Sequence, residues 1–146
     1  MEEPATGADM VFVLDIRAGD YVSSKGVLVQ AKRLNRGAKL PSAIATDLRS
    51  QCTDMLNLTP ASFAFLYSPT DVAVLSATIV EGSKRDDLHA LEQWRDSDMI
   101  FFIDFAKCWV GDPRLRATDK QSLAVLRQRL AARNALLLHV ESKSAA

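Results

Sequence analysis

Two short apolar runs near the N-terminus constrain the fold of this chain more than any other feature. They read DMVFVLDI from Asp9 and GVLVQAKRL over residues 26–34, and the segment between them contains Gly19, Asp20 and two serines. Short runs rich in β-branched and aromatic residues, bounded by turn residues, are typical of strands. We therefore predict an antiparallel hairpin in which RAGDYVSSK forms the turn.

The segment after the hairpin alternates between helical and strand-like patterns. A helix is predicted to begin at Pro41 and Ser42 and to end before Pro60, near Leu56. SFAFLYS (62–68) and VAVLSATIV (72–80) have the composition of strands. The apolar stripe of the predicted helix consists of Ile44, Leu48, Cys52, Met55 and Leu56.

The C-terminal part adds two helices and a last strand. Apolar and aromatic residues at helical spacing predict a long helix from about Leu88, ended by Gly111, and its aromatic side chains are expected in the core. The Thr-x-x-Gln pattern at 118–121 indicates a capping box for a further helix that reaches about Arg133. ALLLHVE then predicts a buried closing strand.

Length and composition favour one domain spanning 1–146. The chain has 146 residues, 48% of them apolar and 25% charged, which suits one hydrophobic core. Residues 1–8 are polar and contain a proline and a glycine, so they are expected to form a loop. The order of elements predicts an α/β fold with a mixed sheet, in which the antiparallel hairpin is flanked by helices.

Several functional classes are disfavoured by the same sequence. The 18 basic and 18 acidic residues balance, so the overall charge indicates no partner. Cys52, Cys108, His89 and His139 are too scattered for a structural zinc site, and both cysteines are expected to be core thiols. No apolar run approaches the ~20 residues of a membrane span, and no charged-then-apolar leader opens the chain. We therefore expect a cytoplasmic protein without membrane contact.

Three polar residues at the ends of the hairpin strands are not explained by core packing. Gln30 and Lys32 lie two apart and share a face of the second strand, while Asp9 opens the first. In an antiparallel hairpin these ends are adjacent, so the three side chains are expected to meet. A carboxylate with amide and backbone carbonyl oxygens suits Mg²⁺, and a lysine suits charge developing on a phosphate. The pattern predicts metal-assisted phosphodiester hydrolysis.

The segment GAD, followed by VLVQAKR on the next strand and then by a helix, resembles the PD-(D/E)XK nuclease superfamily. The motif has Gln-x-Lys in place of Glu-x-Lys, which is similar to the motif of the Mrr-type restriction endonucleases. The resemblance covers 9–68 and implies a restriction endonuclease-like core: a helix, an antiparallel meander, a second helix and a further strand. Residues 85–146 lie outside it and are read as additional helices and a closing strand.

The resemblance also implies a function and a set of site residues. It implies a Mg²⁺- or Mn²⁺-dependent endonuclease acting on DNA, as the cleavage module of a restriction or phage-defence system. Lys32 would be the catalytic lysine, and Gln51 resembles a glutamine that often reaches the active site from the second helix. The implied metal ligands are Asp9, Gln30, the backbone carbonyl of Ala31, and Glu3 or Glu2.

A cluster of basic residues follows the motif and would place positive charge beside such a metal ion. A solvated loop is the alternative interpretation of this cluster, and a core amide bonded to backbone is the alternative for Gln51. The predicted nucleic-acid-binding residues are Arg33, Arg36, Lys39 and Arg49.

Other interpretations of the motif remain open. Lys32 can be a strand-end residue that extends its charge to water, and Gln30 can make an ordinary edge hydrogen bond. The chain would then be a non-catalytic nuclease-fold module that binds nucleic acid or a partner protein. A third interpretation is a subunit of a homo-oligomer or a larger defence assembly, with the aromatic helix as its interface. Asp15 is interpreted as a turn residue, and Asp104 is given no role.

Overall fold

A six-stranded sheet with helices on both faces forms the centre of the structure, a computed structural model that describes residues 7–34, 40–83, 96–107 and 109–143. No helix in these ranges is both long and apolar enough to cross a membrane. The strands are β1 Met10–Ala18, β2 Tyr21–Arg33, β3 Ser62–Tyr67, β4 Val72–Ser76, β5 Asp96–Ser97 and β6 Asn134–Ser142. The helices are α1 Ser42–Leu56, α2 Ala77–Gly82, α3 Asp98–Ala106 and α4 Lys120–Arg129.

The sheet is mixed, as predicted, and its strand order is β5-β4-β3-β2-β1-β6. β1 and β2 form the predicted antiparallel hairpin, while β3 is parallel to β2 and is reached through α1. The predicted turn is wrong in extent, because Ala18 pairs with Tyr21 and only Gly19 and Asp20 connect the strands. A two-residue connection lets the ladder continue through Ser23 and Ser24, which sequence reasoning had assigned to the turn.

The first face of the sheet, here called the α1 face, is covered by α1, α2 and α4. α1 buries Ala45, Leu48, Cys52 and Met55 against it, so the predicted stripe is confirmed except at Ile44, which is exposed. Side chains alternate between the faces of a strand, and the buried residues of this face follow that alternation. They include Val11, Val13, Leu28, Ala64, Leu66 and Leu75 from the strands.

The second face, here called the α3 face, carries most of the aromatic side chains. Phe101 of α3 makes edge-on ring contacts with Phe63 and Phe65, whose ring centres lie 5.0 and 5.1 Å away. Phe105 packs against Phe12 with 5.3 Å between ring centres. Aromatic rings bury large apolar areas, so this short helix suffices to hold its part of the sheet. The expectation that these aromatic residues form core is confirmed for Phe101 and Phe105.

Two predicted elements differ from the structure in their extent. The proposed strand over 72–80 ends at Ser76, and the helix α2 follows it directly. The predicted long aromatic helix is described only as α3, which begins at Asp98 after the N-cap Ser97. The part of that prediction over 88–95 lies outside the described residues. Trp109 is exposed beyond the end of α3 and is not core.

The last helix and strand also depart from the sequence-based expectations. The capping box of α4 is formed by Asp119 and Ser122, one residue later than the predicted Thr-x-x-Gln pair, because Asp119 accepts a hydrogen bond from the Ser122 amide at 2.7 Å. The helix ends at Arg129 rather than near Arg133. β6 is an outer strand with mostly exposed residues, so its prediction as a buried strand is wrong. A continuous apolar run does not reveal whether a strand is central or at an edge.

A buried polar network fastens the loop after α3 to β2. Asp112 and Gly26 exchange two backbone hydrogen bonds, of 3.1 and 2.8 Å. The Asp112 carboxylate accepts hydrogen bonds from the Thr59 hydroxyl and from the Arg114 guanidinium, both at 2.7 Å. Only glycine allows this approach, since a Cβ at Gly26 would lie 2.4 Å from the carbonyl oxygen of Leu115.

We expect Asp112→Asn to lower stability in a pH-dependent way. The Arg114 guanidinium holds the pKa of Asp112 well below its ordinary value of 3.8. The carboxylate therefore stabilises the folded state fully above pH 3.8, and this contribution declines as the pH falls towards the folded-state pKa. Replacing it should cost about 1.5–3 kcal/mol of unfolding free energy at pH 7, because charge-assisted hydrogen bonds are lost.

Urea denaturation at several pH values measures this difference. The difference in unfolding free energy between wild type and Asp112→Asn should be largest at neutral pH and should decrease below pH 3.8. Asp54→Asn, on the exposed side of α1, is the matched control and should leave stability nearly unchanged at every pH. A difference in unfolding free energy that did not change with pH would contradict stabilisation by the charged form of Asp112.

Candidate functional site

The mouth of the hairpin brings Asp9 and Gln30 into direct contact. The backbone amide of Asp9 donates to the carbonyl oxygen of Val29 at 3.0 Å, which sets Asp9 beside the end of β2. The Gln30 side-chain amide donates to Asp9 Oδ2 at 2.7 Å, and the backbone amide of Ala31 donates to the same oxygen at 3.1 Å. Gln30 is only 3% exposed. The hairpin register thus produces the contact between Asp9 and Gln30 that the sequence predicts.

Backbone contacts on two further sides hold Asp9 in position. Gly7 has a φ of +63°, and a Cβ there would lie 2.8 Å from the backbone oxygen of Gln51, so the chain passes directly against α1 before reaching Asp9. The backbone amide of Asn134, at the start of β6, donates to the carbonyl oxygen of Asp9 at 2.9 Å. Sequence reasoning missed Asn134, because pairing between β1 and β6 joins distant parts of the chain.

Lys32 lies on the same face of the sheet as Gln30, towards α1. Both residues share the alternation of Leu28, which is buried against α1. Burial raises the pKa of the Cys52 thiol to about 12, Glu81 adds to the rise, and Lys32 opposes it. The ammonium group of Lys32 is therefore close enough to α1 to act on this thiol. Cys52 remains a protonated core thiol, as the sequence predicted.

Gln51 presents a buried acceptor beside the Asp9 segment. Its side-chain oxygen Oε1 is inaccessible to solvent and accepts no hydrogen bond within the described part of the chain. This differs from the alternative expectation of a core amide satisfied by backbone. A buried amide oxygen without a donor is costly, and such atoms in native proteins call for an explanation. Gln51 is thus the predicted site residue with the clearest unmet hydrogen-bonding capacity.

The predicted nucleic-acid-binding residues do not form one described cluster. Arg33 is exposed at the end of β2, and strand alternation directs it to the α3 face, opposite Lys32. Arg49 lies on α1 and is partly buried. The remaining two predicted residues, Arg36 and Lys39, and the predicted ligands Glu3 and Glu2, lie outside the described residues.

A second polar cluster at the other end of β1 corrects the interpretation of Asp15. Asp15 is a buried strand residue rather than a turn residue, and its Oδ2 lies 2.8 Å from His139 Nδ1 on β6 and 3.6 Å from Arg17 Nε. It is six residues from Asp9, about 20 Å along an extended strand, so the two clusters are separate. Its polar character within an apolar run was visible in the sequence, but its partner on β6 was not.

The donor set at Asp9 is small for a metal site. Among the described residues, no group of three or more His, Cys, Asp or Glu side chains is arranged to hold a metal ion. Mg²⁺ usually keeps several waters and takes only one or two carboxylates, so one carboxylate with one amide oxygen fits it. The amide of Gln30 would have to turn over to present its oxygen, since its nitrogen faces Asp9 in this arrangement.

Comparisons with protein-family models, with curated proteins and with solved structures found no significant match.

Proposed function

We propose that this chain is a metal-dependent nuclease that hydrolyses phosphodiester bonds of DNA in the cytoplasm. The supporting observation is the contact of Gln30 with Asp9 at 2.7 Å, on the sheet face that also carries Lys32. A carboxylate, an amide and an ammonium group on one face are the groups that metal-assisted phosphodiester hydrolysis requires. The role as a restriction or phage-defence module is part of the proposal and rests on the resemblance of the motif alone.

The order and pairing of the elements support this proposal in part. β1, β2, α1 and β3 follow each other as the motif-bearing strands, second helix and further strand of the PD-(D/E)XK core would. β6 is a departure, because it lies beside β1 and runs parallel to it, where the meander of that core would have an antiparallel strand. The support for the proposal therefore comes from the order of the elements within 9–68.

The proposed chemistry assigns a separate task to each side chain. Asp9 would supply the negative charge that holds Mg²⁺ or Mn²⁺, and Gln30 and the Ala31 carbonyl would supply neutral oxygens. A bound ion would activate a water and neutralise charge on the phosphate. Lys32 places a fixed cation near the developing negative charge, where preorganised charge lowers the barrier most. The free acceptor of Gln51 is suited to orient a water molecule through its hydrogen.

A non-catalytic module that binds nucleic acid or protein is the second candidate function. The observation that favours it is that Asp9 Oδ2 already accepts two hydrogen bonds, from Gln30 and from Ala31. A carboxylate satisfied in this way is stable without a metal ion. In this reading Asp9 and Gln30 tie the two strands together, and Lys32 contributes only surface charge.

Cleavage assays distinguish the two candidates. The purified chain should nick or cut double-stranded DNA in Mg²⁺ or Mn²⁺, and excess chelator should abolish the activity. The variant Asp9→Asn should lose it while retaining its melting temperature to within a few degrees, because it preserves the size of the side chain. Parallel substrates of single-stranded DNA and RNA report the substrate class. DNA binding without metal-dependent cleavage, unchanged in Asp9→Asn, would favour the non-catalytic module.

A substitution at Gln30 tests the metal site independently of cleavage. Gln30→Glu places a second carboxylate beside Asp9, which should destabilise the metal-free protein through like-charge repulsion and loss of the amide donor, by about 1–3 kcal/mol. Mg²⁺ should relieve this cost, because a ligand that binds only the folded state stabilises it by mass action. Thermal melts of both proteins with and without Mg²⁺ measure the effect.

The ion should raise the melting temperature of Gln30→Glu more than that of wild type. Asp54→Glu on α1 is a control for general salt effects and should respond as wild type does. Destabilisation of Gln30→Glu that Mg²⁺ does not relieve would falsify the ligand role of this position.

A further inference from the structure

β6 leaves an unusually unprotected sheet edge. Within the described residues it is the outermost strand on its side, and it continues for nine residues, Asn134–Ser142. Natural edge strands are commonly short, interrupted by proline or bulges, or guarded by lysine, because an open edge pairs with other strands. This strand, NALLLHVES, has no lysine, arginine or proline and carries one acidic residue, Glu141. It therefore lacks the charged and proline residues that commonly prevent an edge from pairing with a further strand.

One face of the same strand presents a row of apolar side chains. Leu136, Leu138 and Val140 are 50%, 48% and 42% exposed, and they lie on the α3 face beside Phe12, Leu14 and Ile16 of β1. α3 does not cover this end of the sheet. The half-exposed ring of Phe102, 5.6 Å from that of Phe12, extends the row towards α3.

We propose that β6 pairs antiparallel with β6 of a second copy of this chain, about a two-fold axis at Leu138. In this register Leu138 lies opposite its own copy, and Leu136 lies opposite Val140 of the other copy. The apolar rows of the two copies then form one continuous row on the same face of a joined sheet. A shift by one residue would turn one row to the opposite face, and a shift of the axis to Leu136 or Val140 would leave part of each row unpaired, so the pattern favours this register. The interface is self-complementary, as a two-fold dimer requires.

The charges along β6 and the size of its exposed apolar row are compatible with pairing to a second copy of the chain. In this register Glu141 lies opposite Ala135 and His139 lies opposite Leu137, so no like charges face each other directly across the axis. The exposed apolar row with Phe102 provides on the order of 300 Å² per copy, comparable to the largest patches on monomers. Edge pairing covers only the side of this row that faces the partner, and Phe102 lies over β1, so the buried area falls below the ~800 Å² per partner of stable complexes. A weak, reversible dimer is expected.

Sedimentation equilibrium on the full chain tests the proposal. Wild type should show a concentration-dependent dimer, and Leu138→Lys should weaken it at least ~10-fold, because two ammonium groups would face each other across the axis. Val125→Lys, at an exposed apolar position on α4, is the matched control and should dimerise as wild type does. Circular dichroism checks that each variant is folded.

Directed disulfide formation tests the register. In a Cys108→Ser background, Leu138→Cys should cross-link two copies under mild oxidation, since directly opposite Cβ atoms lie about 4.5–5.5 Å apart. Leu136→Cys alone should cross-link poorly, whereas Leu136→Cys combined with Val140→Cys should do so efficiently.

Three results would overturn the proposal. A protein that remains monomeric at high micromolar concentration has no such dimer. Protection from hydrogen exchange of the β6 amides that point away from β1 would show, in that monomer, that its own chain covers the edge. A dimer whose dissociation constant does not change in Leu138→Lys forms through another surface. Preferential cross-linking through Leu136→Cys alone would contradict the two-fold axis at Leu138. None of these measurements depends on nuclease activity.

Discussion

Lys32→Ala is expected to reduce DNA cleavage by about 10²–10³-fold, the usual cost of removing a preorganised charge from a transition state. Lys32 is near the end of β2, is partly exposed, and lies close enough to α1 to influence the Cys52 thiol. Its alanine variant should therefore fold normally, because a strand-end lysine adds little to packing. Cleavage rates at saturating DNA and Mg²⁺, with melting temperatures measured in parallel, separate lost chemistry from lost structure.

Lys107→Ala is the matched control for this substitution. Lys107 follows the end of α3, on the other face of the sheet, and is exposed. Its removal deletes the same charge from the chain, so any general effect of net charge on DNA binding appears in both variants. Wild-type cleavage by Lys32→Ala would exclude Lys32 from the chemistry. Equal losses in both variants would indicate an effect of overall charge.

Phe105→Ala is expected to have the largest effect on stability, about 3–5 kcal/mol, because it removes a fully buried aromatic ring. Phe105 is 1% exposed and its ring packs against Phe12. The ammonium group of Lys25, itself buried, lies 5.3 Å from the centre of the Phe105 ring. Truncation would leave a cavity and would also remove this cation–π contact. Urea denaturation monitored by circular dichroism measures the change.

Phe102→Ala on the same helix is the control for Phe105→Ala. Phe102 is 42% exposed, although its ring lies 5.6 Å from that of Phe12. Its truncation should cost about 1 kcal/mol, because only part of the ring is withdrawn from water and the surrounding solvent can fill the space. Similar losses of unfolding free energy in both variants would mean that Phe105 does not anchor α3 to the sheet.

Local patterns in the sequence were sufficient for the parts of the fold governed by neighbouring residues. α1 and β3 were predicted close to their observed bounds, and the pairing of the hairpin strands was predicted although its turn was predicted too long, because apolar periodicity and turn residues lie within each segment. The same local reasoning failed at 72–80, where a five-residue strand passes directly into a helix. A short apolar run does not distinguish strand from helix by periodicity alone.

The candidate site likewise has one feature that local sequence predicts and others that it does not. The proximity of Asp9 and Gln30 follows from hairpin geometry alone, since the start of one strand must face the end of the next. Three features have no sequence signal: the orientation of the Gln30 amide, the contact with Asn134, and the lack of a donor for the Gln51 side-chain oxygen among the described residues. They depend on how α1 and β6 pack around that end of the hairpin.

The sequence by itself determined that this chain forms an α/β fold with a mixed sheet, and that Asp9 and Gln30 lie together at the open end of the hairpin. Strand alternation and hairpin register are local rules, and they act within some 25 residues of chain. Only the tertiary structure decided that β6 runs parallel to β1, that Asp15 is buried against His139, and that an apolar row is left open at the sheet edge. These features join segments more than a hundred residues apart. Their pairing depends on the packing of the whole domain, which no local pattern encodes.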